Sequence, residues 1–167
     1  MNGFTMISDR DTLLKMPSEE LLKLCKIDCI KGSGPGGQKR NKTSSAVVLT
    51  MSELDISVSD CTERSQFRNR ENALKKLKFA IALKLRQQPP PEGICNPLCS
   101  IKSDHYPLFA AQLLDFLHDS GFDHKCAAEK CGLTPSAMLK KIHRDPQLWQ
   151  FVQNQRRSSG RPPLSPP

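Results

Sequence analysis

The chain has 167 residues, with 25 Lys and Arg against 17 Asp and Glu, a formal net charge of +8, and 37% hydrophobic residues. That length suits one domain or two small ones, and the basic excess favours a polyanionic partner. Seven cysteines, an odd number, argue against a disulfide framework. Residues 1–16 hold neither the apolar core of a signal peptide nor an Arg-rich transit pattern, and no stretch is long enough for a membrane span. A cytoplasmic protein without a membrane partner is expected.

In chain order, 17–24 reads as a short helix, with Pro17 and the acids Glu19 and Glu20 at its start. Residues 25–31 mix apolar and polar β-formers and read as a strand running into a glycine-rich loop. That loop, 31–43, packs Gly32, Gly34, Pro35, Gly36 and Gly37 against Gln38 and then Lys39, Arg40, Asn41, Lys42 and Thr43. Glycine lets the backbone approach a ligand closely, and the cations behind it attract phosphate. Gly32, Gly34 and Gly37 satisfy the spacing of a dinucleotide loop, but the β-branched run 46–50 follows where such a loop needs a helix. Nucleotide binding is therefore disfavoured. Strands at 45–51 and 55–60 alternate around 52–54 as an antiparallel hairpin.

From Ser65 to about Arg86 the sequence predicts an amphipathic helix packed on the sheet. Leu74, Leu77, Ile81 and Leu85 form its apolar stripe, widened by Ala73 and Ala80, while Lys75, Lys76, Lys78 and Lys84 point away. Successive prolines at 89–91 end it. Further helices are expected over 107–119, 123–130 and 134–142, with a last one opening at Asp145-Pro146 and carrying Trp149 and Val152. Thr134-Pro135 and Asp145-Pro146 each pair a capping side chain with proline at the first helical position. Ala128, Gly132 and Leu133 before Thr134-Pro135-Ser136 resemble a helix-turn-helix, whose second helix would have a basic end at Lys140, Lys141 and Arg144. A small helical bundle that docks on protein or covers a core explains the same pattern equally well.

Three motifs in order, Gly36-Gly37-Gln38, then Asn41-Lys42-Thr43 with Ala46-Val47, then Glu63-Arg64-Ser65-Gln66 with Arg68-Asn69-Arg70, make a specific likeness. Over about residues 17–88 the chain resembles the catalytic domain of class I peptide chain release factors and their stand-alone ribosome-rescue relatives. The resemblance implies an α+β fold. A small antiparallel sheet with packed helices and a protruding Gly-Gly-Gln loop would occupy 1–88. A Pro-rich linker would follow over 89–104, a small all-α helix-turn-helix-like domain over 105–155, and a basic, Pro-rich disordered tail over 156–167.

The activity implied is hydrolysis of the peptidyl-tRNA ester on the ribosome, independent of a stop codon because the chain has no room for a decoding domain. Gly36, Gly37 and Gln38 would be the catalytic residues, with the Gln38 backbone N–H aimed at the oxyanion and its side chain restricting the pocket to water. Lys39, Arg40, Asn41, Lys42, Thr43, Arg64, Ser65, Gln66, Arg68 and Arg70 would contact RNA, as would Lys140, Lys141, Arg144, Arg156 and Arg157 beyond the likeness. The implied partners are the peptidyl-transferase centre of the large ribosomal subunit, ribosomal RNA and P-site peptidyl-tRNA, met by a monomer. Pro35 and Gly32 depart from the family's loop without touching Gly-Gly-Gln.

No cofactor is required for this chemistry. Cys25 with Cys29, Cys95 with Cys99 and Cys126 with Cys131 lack the spacing of zinc knuckles, so no metal is expected. The excess charge agrees with a ribosomal setting. Residues 1–30 carry −1, 31–86 carry +7, 87–155 carry −1 and 156–167 carry +3. Two other classes stay open beside the hydrolase: a non-catalytic ribosome- or RNA-binding factor, and a nucleic-acid-binding regulator acting through 107–155.

Overall fold

The central strand β2, Ala46–Met51, is almost continuously apolar, and Ala46, Val47, Leu49 and Met51 are buried. A strand covered on both faces takes this pattern. In the computed structural model, which describes residues 9–30, 46–94 and 96–167, β2 is flanked by β1, Lys26–Ile30, and β3, Ile56–Asp60, in an antiparallel sheet of order β1-β2-β3. The β2–β3 connection is a 3-10 turn, Ser52–Leu54, closed by Asp55 at φ 50°. Asp is among the few side chains that tolerate this region.

The described residues form two compact units, 1–81 and 82–167. In the first, helix α1, Arg10–Lys15, is capped by Asp9 and buries Leu13 and Leu14. No element is expected there from sequence. Helix α2, Ser18–Lys23, contributes Leu21. The long helix α3, Gln66–Lys84, buries Ala73, Leu74, Leu77 and Ile81, the stripe that periodicity anticipates. Lys78, expected on the outward face, instead donates to the Met16 carbonyl at 2.9 Å.

The second unit is built on α4, Tyr106–Asp119, in which every residue from Tyr106 to Leu117 is buried. A helix apolar all round belongs at the centre of its neighbours. Its buried Asp115 accepts from the Gln87 N–H at 3.0 Å and faces the Arg86 guanidinium at 3.4 Å. Around it lie α5, His124–Lys130, α6, Pro135–His143, and α7, Pro146–Ser158. All three start on the capping residues that accept from their first turns: Asp123, Thr134 and Asp145. The architecture is therefore α+β, with a three-stranded antiparallel sheet and seven α-helices among the described residues.

Two stretches are more ordered than their composition suggests. Within 89–104, expected as a linker, Ile94 and Cys99 are buried. The tail 156–167, expected to be disordered, begins inside α7, and Gly160 at φ 69° lets the Arg161 N–H return to the Arg156 carbonyl. Gln153 then holds both backbone groups of the buried Leu164 at 2.8 Å. A side-chain amide offers a donor and an acceptor together, which is what an extended backbone needs.

Candidate nucleic-acid interface

The sheet brings three chain segments to one end. Ile30, the last residue of β1, is paired with Ala46, the first of β2, so the segment 31–45 leaves and re-enters the sheet at adjacent positions. Asp60, the last residue of β3, pairs with Val47 one position further along. The turn 61–65 and the first turn of α3 therefore start from the same end. Gly36, Gly37, Gln38, Lys39, Arg40, Asn41, Lys42 and Thr43 lie outside the described residues. The anchors of their segment lie inside them.

Two clamps fix the 61–65 turn. Asp60 is 4% exposed and takes a 2.8 Å ion pair from Lys76 and hydrogen bonds from the Thr62 hydroxyl at 2.8 Å and backbone N–H at 3.1 Å. Burial works to raise its carboxyl, but Lys76 and Thr62 together outweigh it and hold the pKa below the usual value. Asn69, fully buried, accepts from the Glu63 N–H at 2.8 Å and donates to the Glu63 carbonyl at 2.9 Å. Ser65 accepts from the Arg68 N–H at 3.4 Å, as a capping residue does.

These bonds leave a cationic rim facing solvent. Arg64 and Arg68 are exposed and make no ion pair among the described residues. Phe67, between α3's opening residue Gln66 and Arg68, is 66% exposed. Arg70 is half-buried, and its Nε has no hydrogen-bond partner among the described residues. Such a set of guanidinium groups and an open aromatic ring is suited to phosphates and bases. Asn69, grouped by sequence with the outward donors of this turn, is an internal clamp. Its place four residues before Ala73 and eight before Leu77 on the buried stripe is the signal that identifies it.

In the second unit the sequence-derived cations divide. Lys140 and Arg157 are exposed. Lys141 donates to the Pro97 carbonyl and Arg144 to the Cys99 carbonyl, so both pin the 96–99 turn to α6. Arg156 is only 6% exposed and donates to the carbonyls of Phe122 and Pro162. It ties the tail to the core rather than offering a charge to solvent. Among the described residues no group of three or more His, Cys, Asp or Glu could hold a metal ion, and no helix is long and apolar enough to cross a membrane.

Comparison with known proteins finds similarity in the part of the chain that carries the sheet and the rim. Residues 17–93 match the family model of the RF-1 domain. This segment is similar to the catalytic domain of class I release factors. Peptide chain release factor 1 of Xylella fastidiosa is 44% identical over 63 residues, 38% of this chain and 18% of the relative. Peptide chain release factor 2 of an Exiguobacterium species is 44% identical over 70 residues, 42% of this chain and 18% of the relative. Peptide chain release factor 2 of Thermosipho africanus is 42% identical over 83 residues, 48% of this chain and 21% of the relative. The chain thus spans about a fifth of the length of these curated relatives. No solved structure matches it significantly. The matched segment contains Gly36 to Thr43 and the whole Arg64 to Arg70 rim, whereas Lys140, Lys141, Arg144, Arg156 and Arg157 fall outside it.

Proposed function

We propose that this protein releases nascent chains from stalled ribosomes by hydrolysing the peptidyl-tRNA ester without reading a stop codon. The observation that carries the reading is the RF-1 domain match over 17–93, which encloses Gly36-Gly37-Gln38. The sheet supports it, because β1 and β2 hold both ends of the Gly-Gly-Gln segment beside the origin of the Arg64–Arg68 rim. In this reading Arg64, Arg68 and the cations Lys39, Arg40 and Lys42 engage ribosomal RNA and tRNA phosphates. The Gln38 backbone N–H stabilises the tetrahedral oxyanion formed when water attacks the ester, and Gly36 and Gly37 allow the backbone path that aims it.

The test is release of labelled peptide from ribosomes stalled at the end of a truncated message, with ribosomes paused at an internal codon and free peptidyl-tRNA as controls. Release from the truncated complex and not from free substrate is expected. Hydrolysis of free peptidyl-tRNA at the same rate would make the protein a general hydrolase instead. Gly37→Ala should lose more activity than Gln38→Ala, because it disturbs the backbone donor while the other changes only a side chain. Near-wild-type release by both variants would sink the assignment.

A further inference from the structure

Residues 87–155 carry a net charge of only −1 by sequence, yet their charges are sorted in space. Residues 124–144 contain Lys125, Lys130, Lys140, Lys141 and Arg144 against Glu129 alone. The acids elsewhere in the unit are largely engaged. Asp115 is buried against Arg86, Asp119 pairs with Lys130 at 2.6 Å, Asp123 pairs with Arg161 at 3.2 Å, and Asp145 is 8% exposed while capping α7. Three of the cations without an ion pair among the described residues, Lys140, Lys141 and Arg144, lie together at the C-terminal end of α6. A surface depression of about 280 Å³ there is lined by Ala137, Lys140, Lys141 and Arg144, three cations and no acid.

The depression is held in shape from behind. Lys141 and Arg144 each donate to a carbonyl of the 96–99 turn, and Arg144 also lies 5.8 Å from the ring centroids of both Tyr106 and Phe109. One carbonyl occupies only part of the donor set of an ammonium or a guanidinium, so both keep donors for a ligand. Burial, and after it the neighbouring Arg144, hold the Lys141 pKa below its ordinary value. Lys140 stands exposed at the rim.

We propose that this α6 depression docks the phosphate backbone of RNA, with Lys140 as the exposed cation free of other bonds, and Arg144, also exposed, and the half-buried Lys141 fixed beside it by the 96–99 turn. The choice of RNA rests on the ribosomal reading given above. The same helix would supply what the catalytic segment lacks, a second grip that selects where the protein sits. Contact runs to the backbone, because the A-form major groove is too deep and narrow for side chains on a helix to read. Recognition is then independent of sequence and sensitive to salt.

Fluorescence anisotropy of the full chain with a duplex RNA of arbitrary sequence, titrated across potassium chloride concentrations, tests the site directly. Lys140→Glu is compared with Lys15→Glu, the same charge change on an exposed α1 lysine, with circular dichroism to establish that both variants are folded. Lys140→Glu is expected to weaken RNA binding about tenfold and to lower the slope of log affinity against log salt by about 1. Equal affinities for the two variants would overturn the proposal. So would tighter, Lys140-dependent binding to duplex DNA of the same sequence, which would mark the surface as a DNA-docking one. A wild-type chain that binds RNA through Lys140 but releases no peptide would sink the catalytic reading and leave this site standing.

Discussion

At Asn69 a single side chain closes the turn that presents the arginine rim, through paired bonds to the N–H and carbonyl of Glu63. Because the amide is fully buried, neither bond can be replaced by water. Asn69→Asp keeps an acceptor but sets a carboxylate against the Glu63 carbonyl. It should cost about 2 kcal/mol or more, read from urea unfolding, and an unchanged midpoint would remove the clamp. Arg156 teaches the complementary lesson. Its charge and its place at the start of a basic tail suggest an RNA contact, while its spacing after Leu148 and Val152 puts it on α7's buried stripe. Periodicity outweighs charge because the long arginine stem packs like an aliphatic one while its head meets the Phe122 and Pro162 carbonyls. Arg156→Leu leaves those carbonyls unpaired, and a loss of about 2–3 kcal/mol is expected, measured as a lowered thermal midpoint.

At the scale of elements, the caps and stripes were the most legible features of the sequence. Asp145-Pro146 and Thr134-Pro135 begin α7 and α6 as their chemistry requires. Helix α1 lacks the proline and paired acids that mark the start of the equally short α2, and only the Asp9 cap signals it. The β3–α3 junction was invisible for a different reason: Asp60 and Lys76 are sixteen positions apart and meet only once α3 lies on the sheet. Since the Asp60 pKa is depressed in the folded state, its contribution is fully present above the unfolded value of about 4 and is lost as pH falls through the folded value. Asp60→Asn should therefore cost about 1–2 kcal/mol at pH 7. The difference from wild type should shrink when unfolding is repeated near pH 3. A gap that stays constant with pH would mean that the carboxylate's charge is not what holds the junction.

For the whole molecule, the sequence suggests a break at the prolines between a sheet-bearing part and a helical part. The structure divides the chain at 81/82, because Arg86 and Gln87, before the prolines, already bond to Ala111 and Asp115 of α4, and Ile94 and Cys99, after them, are buried in the same unit. Composition cannot see this, since proline-rich sequence is extended whether or not its few apolar residues find a core. Each unit has its own fully buried centre, Leu49 and Met51 in the sheet and Phe109, Leu113 and Leu117 in α4. If those centres are energetically separate, a cavity in one should not loosen the other. Leu49→Ala, which empties a fully buried position, should cost about 2–5 kcal/mol. Amide hydrogen exchange should then speed up across β1, β2 and β3 while the amides of α4 and α7 keep wild-type protection. Equal acceleration in both sets would mean that the two centres melt as one, and that a substitution around the Gly-Gly-Gln segment cannot be interpreted without following the helical unit as well.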